Sequence, residues 1–194
     1  MQLLDNTYFF ILIMGVIIIL LIRLIFLLAK VFKITSEGKM KYLAKYPEKT
    51  EADYRRHRKS LGAYELIHLY TPFQRTLYRV IRGGIMISLG ILVALVVTND
   101  SSTYSSQLLA GLVLYLLGFF IILQPKADKE IRFWKNYLVT HPENLLNVTI
   151  NDSVDNLEKV KLAVSARRKI MIYCFIIGTL FLLLSLIIYL RTQS

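Results

Sequence analysis

Asp53 and His57 stand four residues apart in the run Asp53-Tyr54-Arg55-Arg56-His57-Arg58-Lys59. On a helix that spacing puts a carboxylate and an imidazole on one face, the arrangement a general acid–base pair needs. Arg55, Arg56, Arg58 and Lys59 crowd the same run, so a solvated cationic face is the simpler reading. Other groups with chemical reach are sparse. His57, His68 and His141 form no H-E-x-x-H pair, and neither the phosphate-binding G-x-x-x-x-G-K-[ST] motif nor the nucleophile motif G-x-S-x-G occurs. Cys174 is the one cysteine, so no intrachain disulfide can form. It lies in an apolar run, where a cysteine acts as a small apolar side chain. The residues therefore imply no catalytic group, no cofactor and no metal, and the expectation is a protein that is not an enzyme.

The cations are abundant: 24 Lys and Arg against 13 Asp and Glu, a net charge of +11. Such a balance raises the question of nucleic acid. The cations flank apolar segments, where membrane topology places them, and no zinc-finger or RNA-binding aromatic motif accompanies them. Nucleic acid is not an expected partner. Hydrophobic residues make up 55% of the chain and charged residues 19%, whereas soluble domains carry about 45–50% and about 25%. That excess points to a multi-span membrane protein.

A membrane span needs about 20 mostly apolar residues. Four segments meet or approach that length: 8–29, 81–98, 107–123 and 170–190. The expected fold is an all-α membrane protein, a single integral membrane domain over 1–194, with amphipathic helices in two loops at 30–80 and 124–169. The first span reads as a retained anchor, because no Lys or Arg precedes it and its apolar stretch exceeds that of a signal peptide. Lys and Arg number 13 from Lys30 to Arg82 and 9 from Gln124 to Lys169. The segments Met1–Thr7 and Asn99–Ser106 have none, and the tail after Leu190 has one. Positive loops stay cytoplasmic. The expectation is therefore both termini outside, both long loops in the cytoplasm, and insertion in the inner or plasma membrane. Three glycosylation sequons, at Asn99, Asn147 and Asn151, fall in a loop too short or on a side where no glycan is expected.

Within the first loop, Ser36-Glu37-Gly38 is expected to break the helix emerging from span one, and Tyr46-Pro47 to mark a boundary. A helix then runs over Glu51–Leu69 with Thr50 as N-cap. Pro72 opens the next helix, which continues into span two. Its Arg75, Arg79 and Arg82 share a face. With Arg55, Arg56, Arg58 and Lys59 they form a basic surface suited to anionic headgroups or an acidic partner.

In the second loop, a helix over Lys126–Leu138 carries Ile131, Trp134 and Leu138 on one stripe and ends at His141-Pro142. Trp134, the only tryptophan, is expected as an anchor at the membrane–water interface. A short extended segment is expected at Leu145–Ile150. A final helix capped by Asp152 or Ser153 would carry the stripe Val154, Leu157, Val160 or Lys161, and Val164.

Arg23 is the only charge well inside a span. It lies near the cytoplasmic end, where Arg can snorkel to lipid phosphate. Small residues mark expected helix contacts: Gly84 with Ser88 and Gly90 with Ala94 in span two, Gly111 and Gly118 in span three, Gly178 and Ser185 in span four. The expected partners are the bilayer's anionic headgroups and other membrane proteins or a second copy of the chain. The function read from these features is that of an accessory, regulatory or protective (immunity-like) component of a membrane system. A small oligomeric transporter or channel is the alternative, followed by a membrane enzyme using Asp53 and His57.

Overall fold

A computed structural model describes residues 7–98, 103–148 and 154–193. Six helices follow in order: α1 Thr7–Lys45, α2 Glu51–His68, α3 Pro72–Thr98, α4 Thr103–Leu123, α5 Ala127–Thr140 and α6 Val154–Gln193. No strand occurs among the described residues. By length and composition α1, α3, α4 and α6 can each cross a membrane. The Asn99 and Asn151 sequons, the Asp152 or Ser153 cap, Ile150 and most of the loop before α4 lie outside the described residues.

Two helices are longer than expected. At 39 residues, α1 extends about 58 Å at 1.5 Å per residue and passes through Ser36-Glu37-Gly38 without a break. That segment contains no proline to remove an amide donor. A helical glycine costs only about 1 kcal/mol against alanine, and the Thr35 hydroxyl donates back to the Val31 carbonyl at 3.0 Å. The helix stops where Tyr46-Pro47 makes continuation unfavourable. Likewise α6 runs unbroken for 40 residues, joining the expected loop helix to span four through Arg167-Arg168-Lys169. The side chains of Val154, Leu157 and Val160 lie outside the described ones.

The chain divides into two compact units. The apolar unit comprises Met1–Leu28, Tyr78–Ile122 and Arg168–Ser194. Its core is a seam on α6, where Ile170, Cys174, Ile177 and Leu184 recur at helical spacing and Ile177 and Leu184 are fully buried. Ile17 and Leu24 of α1, Ile81, Ile85 and Ser88 of α3, Val113 of α4 and Ser185 of α6 are also buried.

α4 and α6 pair in antiparallel register. Tyr104 lies against Tyr189, Tyr115 against Phe175, and the Ser185 hydroxyl donates to the Tyr104 carbonyl at 2.8 Å. At the crossing a Cβ on Gly111 would stand 3.1 Å from the Gly178 carbonyl, and one on Gly178 would stand 2.8 Å from the Tyr115 ring. Gly118 faces the Phe175 ring as closely, at 2.8 Å. The Tyr115 and Thr179 hydroxyls share a hydrogen bond of 2.8 Å beside this crossing. α3 packs on α4 more loosely, with Gly84 against Leu116 and Tyr78 against Phe120. Gly90 has open space around it, and Ala94 is exposed.

The polar unit comprises Ala29–Leu77 and Leu123–Arg167. Trp134, Tyr137 and Val148 are its core, ringed by Leu61, Tyr64, Phe133, Leu138 and Leu146. Two capping boxes shape it. Thr50 and Asp53 close the start of α2 reciprocally. Thr71 and Gln74 do the same for α3, with the Thr71 N–H donating to Gln74 Oε1 and the Gln74 N–H to Thr71 Oγ1. Pro72 fills the first helical position, where its missing donor costs nothing. The segment expected to be extended forms turns as far as Val148. Asn144 and Asn147 adopt left-handed backbones, which asparagine tolerates. The Asn144 amide clasps the Val148 main chain through two bonds of 2.8 and 2.9 Å, and Val148 is thereby held in the core.

Candidate functional site

α2 carries no buried residue and has two unlike faces. On the inner face, Tyr54, His57, Leu61, Tyr64 and Glu65 recur at spacings of about one turn, and all are half-buried. The Tyr42 ring of α1 stacks on His57 with centroids 4.8 Å apart and lies 5.3 Å from Tyr54. Tyr64 stacks on Trp134 at 5.9 Å and meets the edge of Tyr137 at 5.3 Å. The N terminus of α2 is further tied by an ion pair between Lys39 of α1 and Glu51.

The outer face is cationic. Arg55, Arg56, Arg58 and Lys59 are all exposed. Arg55 stands 3.6 Å from Glu51 and Arg56 stands 4.0 Å from Asp53, with the two arginine side chains 80% and 84% exposed. Pairs this exposed contribute little and leave most guanidinium donors open. Among the described residues, Arg58 and Lys59 have no ion-pair partner. The face is ordered because the inner face is fixed by aromatic stacking and the capping box, not because the cations are paired.

Asp53 and His57 share a helix turn but serve different partners. One Asp53 oxygen accepts both the Thr50 N–H at 2.9 Å and the Thr50 hydroxyl at 2.7 Å. The hydroxyl bond, then the amide bond, holds the Asp53 carboxyl below its ordinary range. His57 lies under Tyr42, where burial first and Arg58 second push its pKa down, leaving the ring neutral at pH 7. No hydrogen bond joins the two, so the acid–base pair suggested by their spacing is not assembled.

The other singled-out cations are dispersed. Arg75 is half-buried and its Nε donates to the Tyr70 carbonyl at 3.3 Å, a local bond that fixes the turn before α3. Arg79 and Arg82 are exposed on α3. Arg23 is exposed on α1 beside buried Leu24 and has no ion pair among the described residues. It therefore points away from the core of the apolar unit.

Trp134 occupies a different setting from the interfacial anchor expected of it. It is 8% exposed, packed among Tyr64, Phe133 and Tyr137, and its indole N–H donates to Glu65 Oε1 at 2.8 Å. The ring is buried because α2 supplies both an aromatic face and an acceptor for the indole N–H. Glu65 itself was not evident as a site residue. Its carboxyl is held above the ordinary range by burial first, then by the charge of Glu130. A carboxylate between Tyr64 and Leu66 on the inner stripe, and Glu130 one turn before Trp134, were the available signals. Lys129 completes the joint by donating to the Leu69 carbonyl at 3.3 Å. Among the described residues no three His, Cys, Asp or Glu side chains gather as metal ligands would. No known protein family, curated protein or solved structure matches this chain.

Proposed function

We propose that this is a non-enzymatic multi-pass protein of the cell membrane, an accessory, regulatory or protective component that works through helix packing and its basic loops. Both termini lie outside, and α2 and α5 lie in the cytoplasm, since the Lys and Arg counts alternate between rich and empty across the four spans. The observation that carries the reading is the outer face of α2. Four exposed cations, held in place from behind and barely neutralised, suit an anionic leaflet. Each Lys or Arg near such a surface contributes about 1 kcal/mol, so four supply a few kcal/mol and lose much of it at high salt.

The test uses the full chain in vesicles with and without anionic lipid. A dye is attached at Ser60→Cys, with Cys174→Ser removing the native thiol. The dye should report a less aqueous setting in anionic vesicles only, reversed by salt. Charge reversal through Arg55→Glu, Arg56→Glu, Arg58→Glu and Lys59→Glu should abolish the difference. An identical signal in neutral and anionic vesicles would overturn the docking reading, and ion or solute flux through the same vesicles would replace it with transport.

A further inference from the structure

α3 has a buried side and an exposed side, and the exposed side changes character along its length. Ile81, Ile85 and Ser88 are buried, with Gly84 against Leu116 of α4. Opposite them Arg79, Arg82, Met86, Gly90, Val93 and Val97 follow at spacings of three and four, which puts them on one line along the helix. Each of these side chains or backbone positions is exposed. The line begins with two guanidinium groups and continues as an apolar track. A Cβ on Gly90 would meet nothing, so the track has a shallow recess along it. Among the described residues, the Arg79 and Arg82 side chains have no ion pair or hydrogen bond, whereas Arg75, one turn earlier, donates to the Tyr70 carbonyl. No Asp or Glu occurs among the described residues of the apolar unit. The other cations of that unit do not converge. Arg23 is the only one on its part of α1, Arg191 lies at the far end of α6, and Arg168 and Lys169 are consecutive, so they face different directions. Arg79 and Arg82, three residues apart, are surface neighbours and can close on one phosphate, which arginine grips bidentately. Their Cα–Cβ bonds tilt toward the start of α3, away from the apolar track.

We propose that Arg79, Arg82 and the apolar line behind them form a site for one anionic phospholipid of the surrounding leaflet. Its phosphate sits between the two guanidinium groups, and an acyl chain lies along Met86, Gly90 and Val93. One leaflet contributes about 15 Å of hydrocarbon, half of about 30 Å. Gly90 and Val93 stand about 12 and about 16 Å beyond Arg82 at 1.5 Å per residue, so the track matches the length of one chain. A zwitterionic lipid brings its own cation to the same place, whereas an anionic lipid leaves its charge to the arginines. Two such cations favour the anionic lipid about thirtyfold over a neutral one. The site lies within the apolar unit and does not depend on what the α2 face binds.

The test uses the full chain with Cys174→Ser and a dye at Ile87→Cys, an exposed position beside the track. It is reconstituted in phosphatidylcholine bilayers holding a minor fraction of lipid with brominated chains, which quench the dye on contact. The brominated lipid is either phosphatidylglycerol or phosphatidylcholine, at the same fraction. Quenching at Ile87 should be several-fold stronger with the anionic lipid, and Arg79→Gln with Arg82→Gln should make the two lipids equal. A dye at Ile172→Cys, exposed one turn after Arg168, samples a face with one cation and should show a weaker preference. The Ile87 preference should survive soluble glycerol phosphate and the combined Arg55→Glu, Arg56→Glu, Arg58→Glu and Lys59→Glu reversal on α2. Equal quenching by both lipids at Ile87, an equal preference at Ile172, or a preference that persists in the glutamine variant would overturn the site. So would its loss to glycerol phosphate or to the α2 reversal, and so would a dye that neither lipid reaches because a second copy covers this face. Should the glutamine variant fail to fold, the comparison of Ile87 with Ile172 in the native arginine background decides.

Discussion

A single absent methyl group sets how closely α4 and α6 approach. Gly178 has the Tyr115 ring 2.8 Å from where a Cβ would stand and the Gly111 carbonyl 3.2 Å from it. Gly178→Val should cost about 1–3 kcal/mol, the usual penalty for overpacking, because the second obstacle is main chain and cannot swing aside. Gly90→Val, whose Cβ meets nothing, should cost much less. Reversible unfolding in mixed micelles separates the two. Both glycines belong to small-residue patterns in the sequence, yet only Gly178 meets a close neighbour, since spacing identifies a permissive face without revealing which neighbour covers it. His57 presents a similar contrast. Its position beside Asp53 suggested proton transfer, but each residue answers to a partner that spacing did not reveal, Thr50 and Tyr42. The depressed His57 pKa means the unfolded chain binds the extra proton first. The stabilisation is thus complete above about pH 6.5, the ordinary histidine value, and is lost as pH falls. The difference in stability between wild type and His57→Gln should shrink on acidification over that range, a slope opposite in sign to that of Glu65, whose pKa is raised.

At the scale of elements, the four spans, the start of α2 and the start of α3 were legible because apolar length, a capping threonine and a helix-opening proline are local signals. The long extents of α1 and α6 were not. Leaving an apolar stretch looks like leaving a helix, but the backbone responds to φ, ψ and proline rather than to polarity. Lys39, Met40, Lys41 and Leu43 are good helix formers, and Lys39 and Tyr42 are further engaged by α2. Gly38 has open space around it. Gly38→Ala should therefore stabilise α1 by up to about 1 kcal/mol, whereas Gly38→Pro should cost about 3 kcal/mol or more. Helicity and unfolding of the full chain measure both, and a neutral proline would mean the helix is already broken there. The role of Trp134 was hidden for a different reason. Its stripe with Ile131 and Leu138 is periodic, but its acceptor lies 69 residues earlier in the chain, beyond any local pattern.

For the whole molecule, the division of charge is the most informative property of the sequence. The net +11 resides between Lys30 and Arg82 and between Gln124 and Lys169, leaving the remaining segments neutral in sum. A reporter fused after Ser194 that works only outside the cytoplasm should be active, and one that works only inside should be silent. The opposite result would invert every sidedness assigned here. Length adds a separate constraint. α1 and α6 far exceed the span of a bilayer, but α4 has 21 residues, about 31 Å of helix, against a hydrocarbon layer of about 30 Å. α4 therefore has no spare turn to tilt with, while its glycine crossing ties it to α6. In a thicker membrane the lipid must thin locally around this one helix, at fractions of a kcal/mol per ångström. The shortest of the four spans thus acts as a gauge, biasing the protein toward thinner membranes within a cell that has more than one kind.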